Sequence, residues 1–517
     1  MRQGAEAAAP ALRAWVWLPV ALALGIAQAI SIAEPWHGQP LWWLQLASLA
    51  GFVWLLDAGA ASWRTGALIG WVFCTAWLSG TYWWMYISMH TYGGMPAPIA
   101  AIAVFLLGAL LALYYAVVCG FFKRFWPKAL VHWSWRAIIF AALWLLAELA
   151  RGVWFTGLPW GAGGYAQIDG PLAALAPLAG VYAMTFACAL LAALVALSGG
   201  ARGLRVALAA LVLLACALAP AHTWSSSTGT FQVSLLQGNI PQNEKFGNRT
   251  GVPLALSWYA EQLLAAPGDL VVAPETAVPL LPRYLPPGYL PAIEAHFESA
   301  GQAALIGIPL TSNSGAGYTN SVLGFAPGRS RPYRYDKHHL VPFGEFVPPL
   351  FKWFVRMMEI PLGDFDRGDV GQPSFAWHGQ RLAPNICYED LFSEELGARF
   401  ADPATAPTIF VNVSNIAWFG DSVAIDQHLA MSRLRAIEFE RPVIRATNTG
   451  ATAIIDHRGR VLKELPRYTR GVLTGSVEGR SGNTPYADWV SRWWLWPFWA
   501  IAGGVPLLGW FAQRRQR

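Results

Sequence analysis

Seven apolar runs precede position 222, at residues 14–30, 41–56, 67–87, 99–122, 137–155, 172–197 and 204–219, and an eighth follows at 493–511. Each approaches the roughly 20 residues that a helix needs to cross a bilayer core. A chain built this way has lipid as its main solvent, which excludes an ordinary soluble multidomain enzyme. The balance of 55% hydrophobic against 13% charged residues agrees, as do the 28 tryptophans, whose indole rings favour the membrane–water interface. The net charge of +6 could suggest nucleic acid, but the basic residues form no long run within a folded basic module, so no nucleic-acid partner is expected.

The basic residues follow a topology instead. Arg2 and Arg13 precede the first run, Arg64 follows the second, Lys123, Arg124, Lys128 and Arg136 follow the fourth, Arg202 and Arg205 follow the sixth, and Arg514, Arg515 and Arg517 end the chain. The alternate connections at 34–39, 90–98 and 157–170 contain no Lys or Arg. Positive charge resists translocation, so the basic loops and both termini are expected in the cytoplasm. Residues 1–221 then form a seven-span membrane domain, 222–490 an exported domain, and 491–517 a last span with a basic tail. Arg13, the first apolar run and Ala27-Gln28-Ala29 resemble a signal peptide, but the run is long and the topology works with it retained.

Of the five cysteines, Cys74, Cys119, Cys188 and Cys216 fall inside apolar runs, where a thiol packs as a small hydrophobe. Cys387 stands alone in the exported domain and has no disulfide partner there. Between 230 and 477, short β-rich runs at 231–237, 270–273, 304–308, 321–325, 381–386, 408–413, 443–446, 452–455 and 472–477 alternate with helical patterns at 253–266, 291–301 and 428–440. This predicts an α/β layered domain.

Three polar residues close β-rich runs: Glu275, Lys337 and Cys387. A carboxylate, an amine and a thiol meeting at one sheet edge would make a nucleophilic acyl-transfer site. The carboxylate can accept the thiol proton, the ammonium can lower the thiol pKa and stabilise an oxyanion, and the thiolate can attack a carbonyl.

The strings around these residues are more specific. Pro274-Glu275-Thr276, the run from Asp336 to Glu345 reading Asp-Lys-His-His-Leu-Val-Pro-Phe-Gly-Glu, and Ile386-Cys387-Tyr388-Glu389 resemble the nitrilase superfamily. With the apolar spans, and with the strings at 164–171, 237–242 and 412–422, the whole chain resembles the apolipoprotein N-acyltransferase family. The resemblance implies an αββα sandwich outside the bilayer, with Glu275 as general base, Lys337 as transition-state stabiliser and Cys387 as nucleophile. Glu345, Tyr388 and Glu389 match supporting active-site positions. It also implies no metal and no cofactor, a phosphatidylethanolamine-like phospholipid as acyl donor, a diacylated apolipoprotein as acceptor, and a place in the bacterial inner membrane with the catalytic domain periplasmic. Phe246 and Ile416 depart from the family pattern, where Trp and Asp are frequent.

Two further features stand apart. The segment 343–360 is too aromatic and Met-rich for a solvated loop, and Trp353, Phe354, Met357 and Met358 are its candidate lipid-contacting lid residues. Glu148 and Arg151 lie three apart in an apolar run and either pair structurally or line a lipid headgroup cavity.

Overall fold

A computed structural model describes residues 11–126, 131–199, 201–217, 223–244, 250–312, 314–315, 317–347 and 364–515. The lid residues Trp353, Phe354, Met357 and Met358, and Phe246, lie outside the described residues. The chain divides into two compact units, one of Met1–Met85, Ala97–Ala221 and Leu495–Arg517, the other of Tyr86–Pro96 and His222–Trp494.

The first unit is helical. Its long helices are α1 (Ala11–Ile32), α2 (Trp42–Gly59), α3 (Trp63–Thr81), α4 (Ala97–Phe125), α5 (Trp133–Val153), α6 (Ala176–Leu197), α7 (Ala201–Ala217) and a C-terminal helix, Trp496–Arg515. Among the described residues, three helical stretches are long and apolar enough to cross a membrane: Ala97–Phe125, Trp133–Thr156 and Pro171–Leu197. A fourth counts if Pro485–Trp493 and Trp496–Ala512, bent by 84° at their junction, form one broken span. The third apolar run was expected to continue to residue 87, but α3 stops at Thr81. Tyr82 caps it and is buried, its hydroxyl donating to the Trp160 carbonyl at 2.8 Å. Hydropathy registers the apolar run but not this break; Tyr86–Pro96 belongs instead to the second unit.

The Glu148–Arg151 pair is closed by protein groups. Arg151 Nη2 donates to Glu148 Oε2 at 2.8 Å, Nε to the Tyr115 hydroxyl at 3.0 Å, and Nη1 to the Tyr82 hydroxyl at 2.9 Å and the Trp160 carbonyl at 2.8 Å. A buried guanidinium needs such acceptors, and here they also fasten the loop that follows α5. The structural alternative therefore holds for this pair.

The second unit carries two six-stranded sheets. The first has the order β12-β1-β2-β3-β4-β5, with β1 Ser226–Gln237, β2 Leu270–Ala273, β3 Ala303–Thr311, β4 Tyr318–Phe325, β5 Tyr333–Asp336 and β12 Gly471–Ser481. The second has the order β11-β10-β9-β8-β7-β6, with β6 Phe375–Trp377, β7 Gln380–Ile386, β8 Ile409–Ser414, β9 Val443–Thr447, β10 Ala453–Ile455 and β11 Val461–Glu464. Alternation along each strand sorts the side chains. Val233, Leu235, Val272 and Leu305 of the first sheet form one core with Leu382, Ile386, Val411 and Ile444 of the second. The opposite face of the first sheet packs Val271 and Ile306 against α8 (Gly251–Ala265) and α9 (Tyr289–Ala300) through Tyr259, Leu263, Ile293 and Phe297. The outer face of the second packs Phe410 and Val443 against α10 (Ala424–Phe439) and α11 (Pro485–Trp493) through Phe439, Tyr486 and Val490. The layers run helix, sheet, sheet, helix, the αββα sandwich of a nitrilase-like fold.

This topology places the reactive residues. β1, β2 and β3 are parallel, and two antiparallel steps turn β5 the same way, so Glu275 after β2 and Lys337 after β5 leave the first sheet at one edge. In the second sheet β7, β8 and β9 are parallel, and Cys387 and Asn415 leave the ends of β7 and β8. In α/β sheets the carboxyl ends of parallel strands are where sites are built.

Candidate active site

Lys337 is the hub of the site. It is buried, and its Nζ lies 2.9 Å from Glu345 and 3.4 Å from Glu275 Oε1. Burial alone would favour the neutral amine, but Glu345 and Glu275 outweigh it and hold the lysine pKa well above its ordinary value. The site thus contains a fixed cation between two carboxylates.

Asn320, in β4, was not singled out from the sequence. Its side-chain nitrogen donates to Glu275 Oε1 and to Glu345 Oε1, both at 2.7 Å, while its backbone carbonyl accepts from the Lys337 backbone N–H at 2.8 Å. The other oxygen of Glu275 accepts from the Asn415 backbone N–H at 2.8 Å, and Glu345 Oε2 accepts from the Val341 N–H at 2.8 Å. Both carboxylates are therefore fixed in direction before substrate arrives.

Cys387 directly follows β7 at φ 51°, in the left-handed region that a side chain with Cβ rarely adopts, and opens the 3-10 turn Cys387–Leu391. Such a turn lifts a side chain off the strand end, as nucleophile elbows do. Burial pushes the Cys387 thiol up and Glu275 pushes it further, while Lys337 and the Ser414 hydroxyl pull it down; the net position is about 12. At neutral pH the sulfur carries its proton and needs a base to remove it.

The supporting residues divide. Glu345 shares Lys337 with Glu275. Glu389 is a brace. Its Oε1 accepts from the backbone N–H groups of His338 and His339 at 2.7 and 3.3 Å, and its Oε2 from the Tyr335 hydroxyl and the Ile386 N–H at 2.8 and 2.7 Å. These bonds tie the segment carrying Lys337 to the strand end carrying Cys387. Tyr388 is buried, its ring tilted against His339 and edge-on to Phe392 at centroid distances of 5.6 and 5.2 Å. Ile416 is buried in the turn Ile416–Phe419. The next residue but one, Trp418, meets the ring of Tyr92 edge-on at 5.9 Å, so Tyr86–Pro96 packs beside this turn. Among the described residues, no group of three or more His, Cys, Asp or Glu side chains is arranged to hold a metal ion.

Comparison with known proteins places this geometry in context. The sequence profile of the apolipoprotein N-acyltransferase N-terminal domain matches residues 24–194, and that of carbon-nitrogen hydrolase matches residues 232–486. An apolipoprotein N-acyltransferase of Verminephrobacter eiseniae is 58% identical over 517 residues, covering 94% of this chain and 95% of that one. One from Ralstonia nicotianae is 44% identical, covering 93% and 91%, and one from Bordetella bronchiseptica is 41% identical, covering 92% and 93%. Among solved structures, a carbon-nitrogen hydrolase from Helicobacter pylori is 16% identical, with TM-score 0.35, covering 52% of this chain and 94% of that one.

Proposed function

The chain belongs to the apolipoprotein N-acyltransferase family, and from that premise we propose that it moves an acyl chain from a phospholipid through a Cys387 thioester to the N-terminal amine of a diacylated apolipoprotein. The observation that carries the residue assignment is the Lys337 ammonium held between Glu275 and Glu345 at the strand edge where Cys387 stands.

In the first half-reaction Glu275 takes the proton from Cys387, and the thiolate attacks the ester carbonyl of the phospholipid. The oxyanion is stabilised by Lys337, whose pKa keeps it charged. The carbon–oxygen bond breaks, the leaving alkoxide takes the proton back from Glu275, and a lysophospholipid departs. In the second half-reaction the α-amine of the diacylglyceryl-cysteine attacks the thioester. The carbon–sulfur bond breaks, Glu275 receives the amine proton and returns it to the thiolate, and an N-acylated lipoprotein leaves. The identity of the lipid donor as phosphatidylethanolamine-like is part of this proposal.

We place the site in the outer leaflet of the inner membrane, with eight spans, cytoplasmic termini and residues 222–490 periplasmic. The alternation of basic loops with loops that contain no Lys or Arg supports this orientation. A soluble enzyme would have to draw an acyl chain out of the bilayer at about 0.8 kcal/mol per CH₂, a cost avoided when both substrates meet the enzyme in the membrane.

Pre-steady-state release of lysophospholipid tests the two-step scheme. Phospholipid alone should give a burst of one lysophospholipid per enzyme that then stalls, and adding a diacylated lipopeptide should restart it. Steady release of lysophospholipid and free fatty acid without acceptor would mark a hydrolase instead.

A further inference from the structure

The backbone of the nucleophile is held from behind by groups that the reaction scheme does not use. The Cys387 carbonyl lies 3.1 Å from His428 Nε2, on α10. On the other side of the same ring, Arg445 Nη2 lies 3.0 Å from His428 Nδ1. A guanidinium has only donors, so Nδ1 must accept, and the single ring proton sits on Nε2, facing the Cys387 carbonyl. A doubly protonated ring would turn a second N–H toward Arg445. Consistent with this, burial and then Arg445 hold His428 well below the ordinary histidine pKa, against the opposing effect of the bond to Cys387.

Arg445 is itself fixed. Its Nη1 reaches Asp390 Oδ2 at 3.3 Å, the His428 carbonyl at 3.2 Å and the Ser432 hydroxyl, and its Nε reaches the Ala451 carbonyl at 3.3 Å. Ser432 in turn donates to Asp390. Asp390 lies on the 3-10 turn that Cys387 opens, so the network grips that turn at both ends. His428, Ser432, Arg445 and Asp390 are all at most 1% exposed.

We infer that His428 is a positioning residue for acyl transfer: as a neutral imidazole with its proton on Nε2, set by Arg445, it clamps the Cys387 carbonyl and so holds the left-handed backbone that aims the sulfur at Glu275 and Lys337. The inference rests on Cys387 being the nucleophile. It assigns to β9 and α10 a part in catalysis through Cys387, without contact with substrate.

Two substitutions in the full-length, detergent-solubilised protein separate positioning from packing. In His428→Gln the amide nitrogen reaches where Nε2 stands, whereas in His428→Asn the shorter amide reaches only the Nδ1 position. Acylation of Cys387 by phosphatidylethanolamine, followed by intact mass, should slow about 100-fold in His428→Asn with KM changed less than about threefold, and recover to within about fivefold of wild type in His428→Gln. Melting temperatures should fall comparably in both. Ser432→Ala, which loosens Arg445 without altering the ring, should slow acylation about fivefold and serves if His428→Asn fails to fold. Wild-type rates in His428→Asn or in Ser432→Ala, or rates in the two His428 variants that follow melting temperature alone, would overturn the clamp. No adduct on Cys387 in the wild-type protein would overturn the nucleophile assignment itself.

Discussion

A thiol whose pKa stands near 12 is a weak nucleophile until a base takes its proton, and the same carboxylate that raises it is the one placed to do so. This double role makes Glu275→Gln informative. Removing the charge deletes the second-largest cause raising the Cys387 pKa, so alkylation by iodoacetamide should titrate with a midpoint below that of wild type. Acyl transfer from phospholipid should nevertheless fall by about 10²–10⁴-fold, the usual worth of a general base. A thiol that becomes easier to ionise yet slower to acylate is the expected signature; parallel changes would argue against Glu275 as the base. Glu389→Gln tests the brace. An amide has only one oxygen for four donors, so at least one buried N–H or O–H loses its acceptor, costing roughly 1–3 kcal/mol in thermal unfolding. Glu275, Lys337 and Cys387 were legible because each lies inside a distinctive string. Asn320 and His428 were not, because Asn320 reaches Glu275 through sheet register and His428 reaches Cys387 across 41 residues of chain.

At the level of elements, apolar runs located the long helices of the first unit because lipid-scale apolarity is the strongest signal a sequence carries. Ends were less legible: α3 stops at Thr81, where the buried hydroxyl network of its capping Tyr82, not hydropathy, decides. In the second unit the expected strands all appear, β2 with the expected bounds and the others with shifted ends, while β5, β6 and β11 lie outside the expected ranges. β6 has three residues, and β11 is exposed along its whole length, so neither carries an apolar alternation. Arg151→Met removes the donor to two tyrosine hydroxyls, two loop carbonyls and Glu148, leaving that carboxylate buried without its cation. Unfolding of the first unit should lose roughly 3–5 kcal/mol, more than Glu148→Gln loses, because in Glu148→Gln the guanidinium keeps its two tyrosine hydroxyls and two loop carbonyls, whereas Arg151→Met strips all of these as well as the ion pair. Equal losses in the two variants would contradict this account of the pair.

For the whole molecule, family membership was legible from strings spread over both units, whereas orientation rests on loop charge alone. Cysteine labelling in intact cells addresses it. With a membrane-impermeant maleimide, Ala404→Cys should label before lysis and Ser62→Cys only after it; the reverse pattern would invert the proposed topology. Whether Cys387 carries the acyl chain between two lipids is decided by intact mass spectrometry of the purified protein after exposure to phospholipid. The expected result is a mass increase of one acyl chain, mapped to Cys387, absent in Cys387→Ala, and discharged by a diacylated lipopeptide faster than by water. An adduct that persists in Cys387→Ala, or that water clears as quickly as the lipopeptide does, would contradict it.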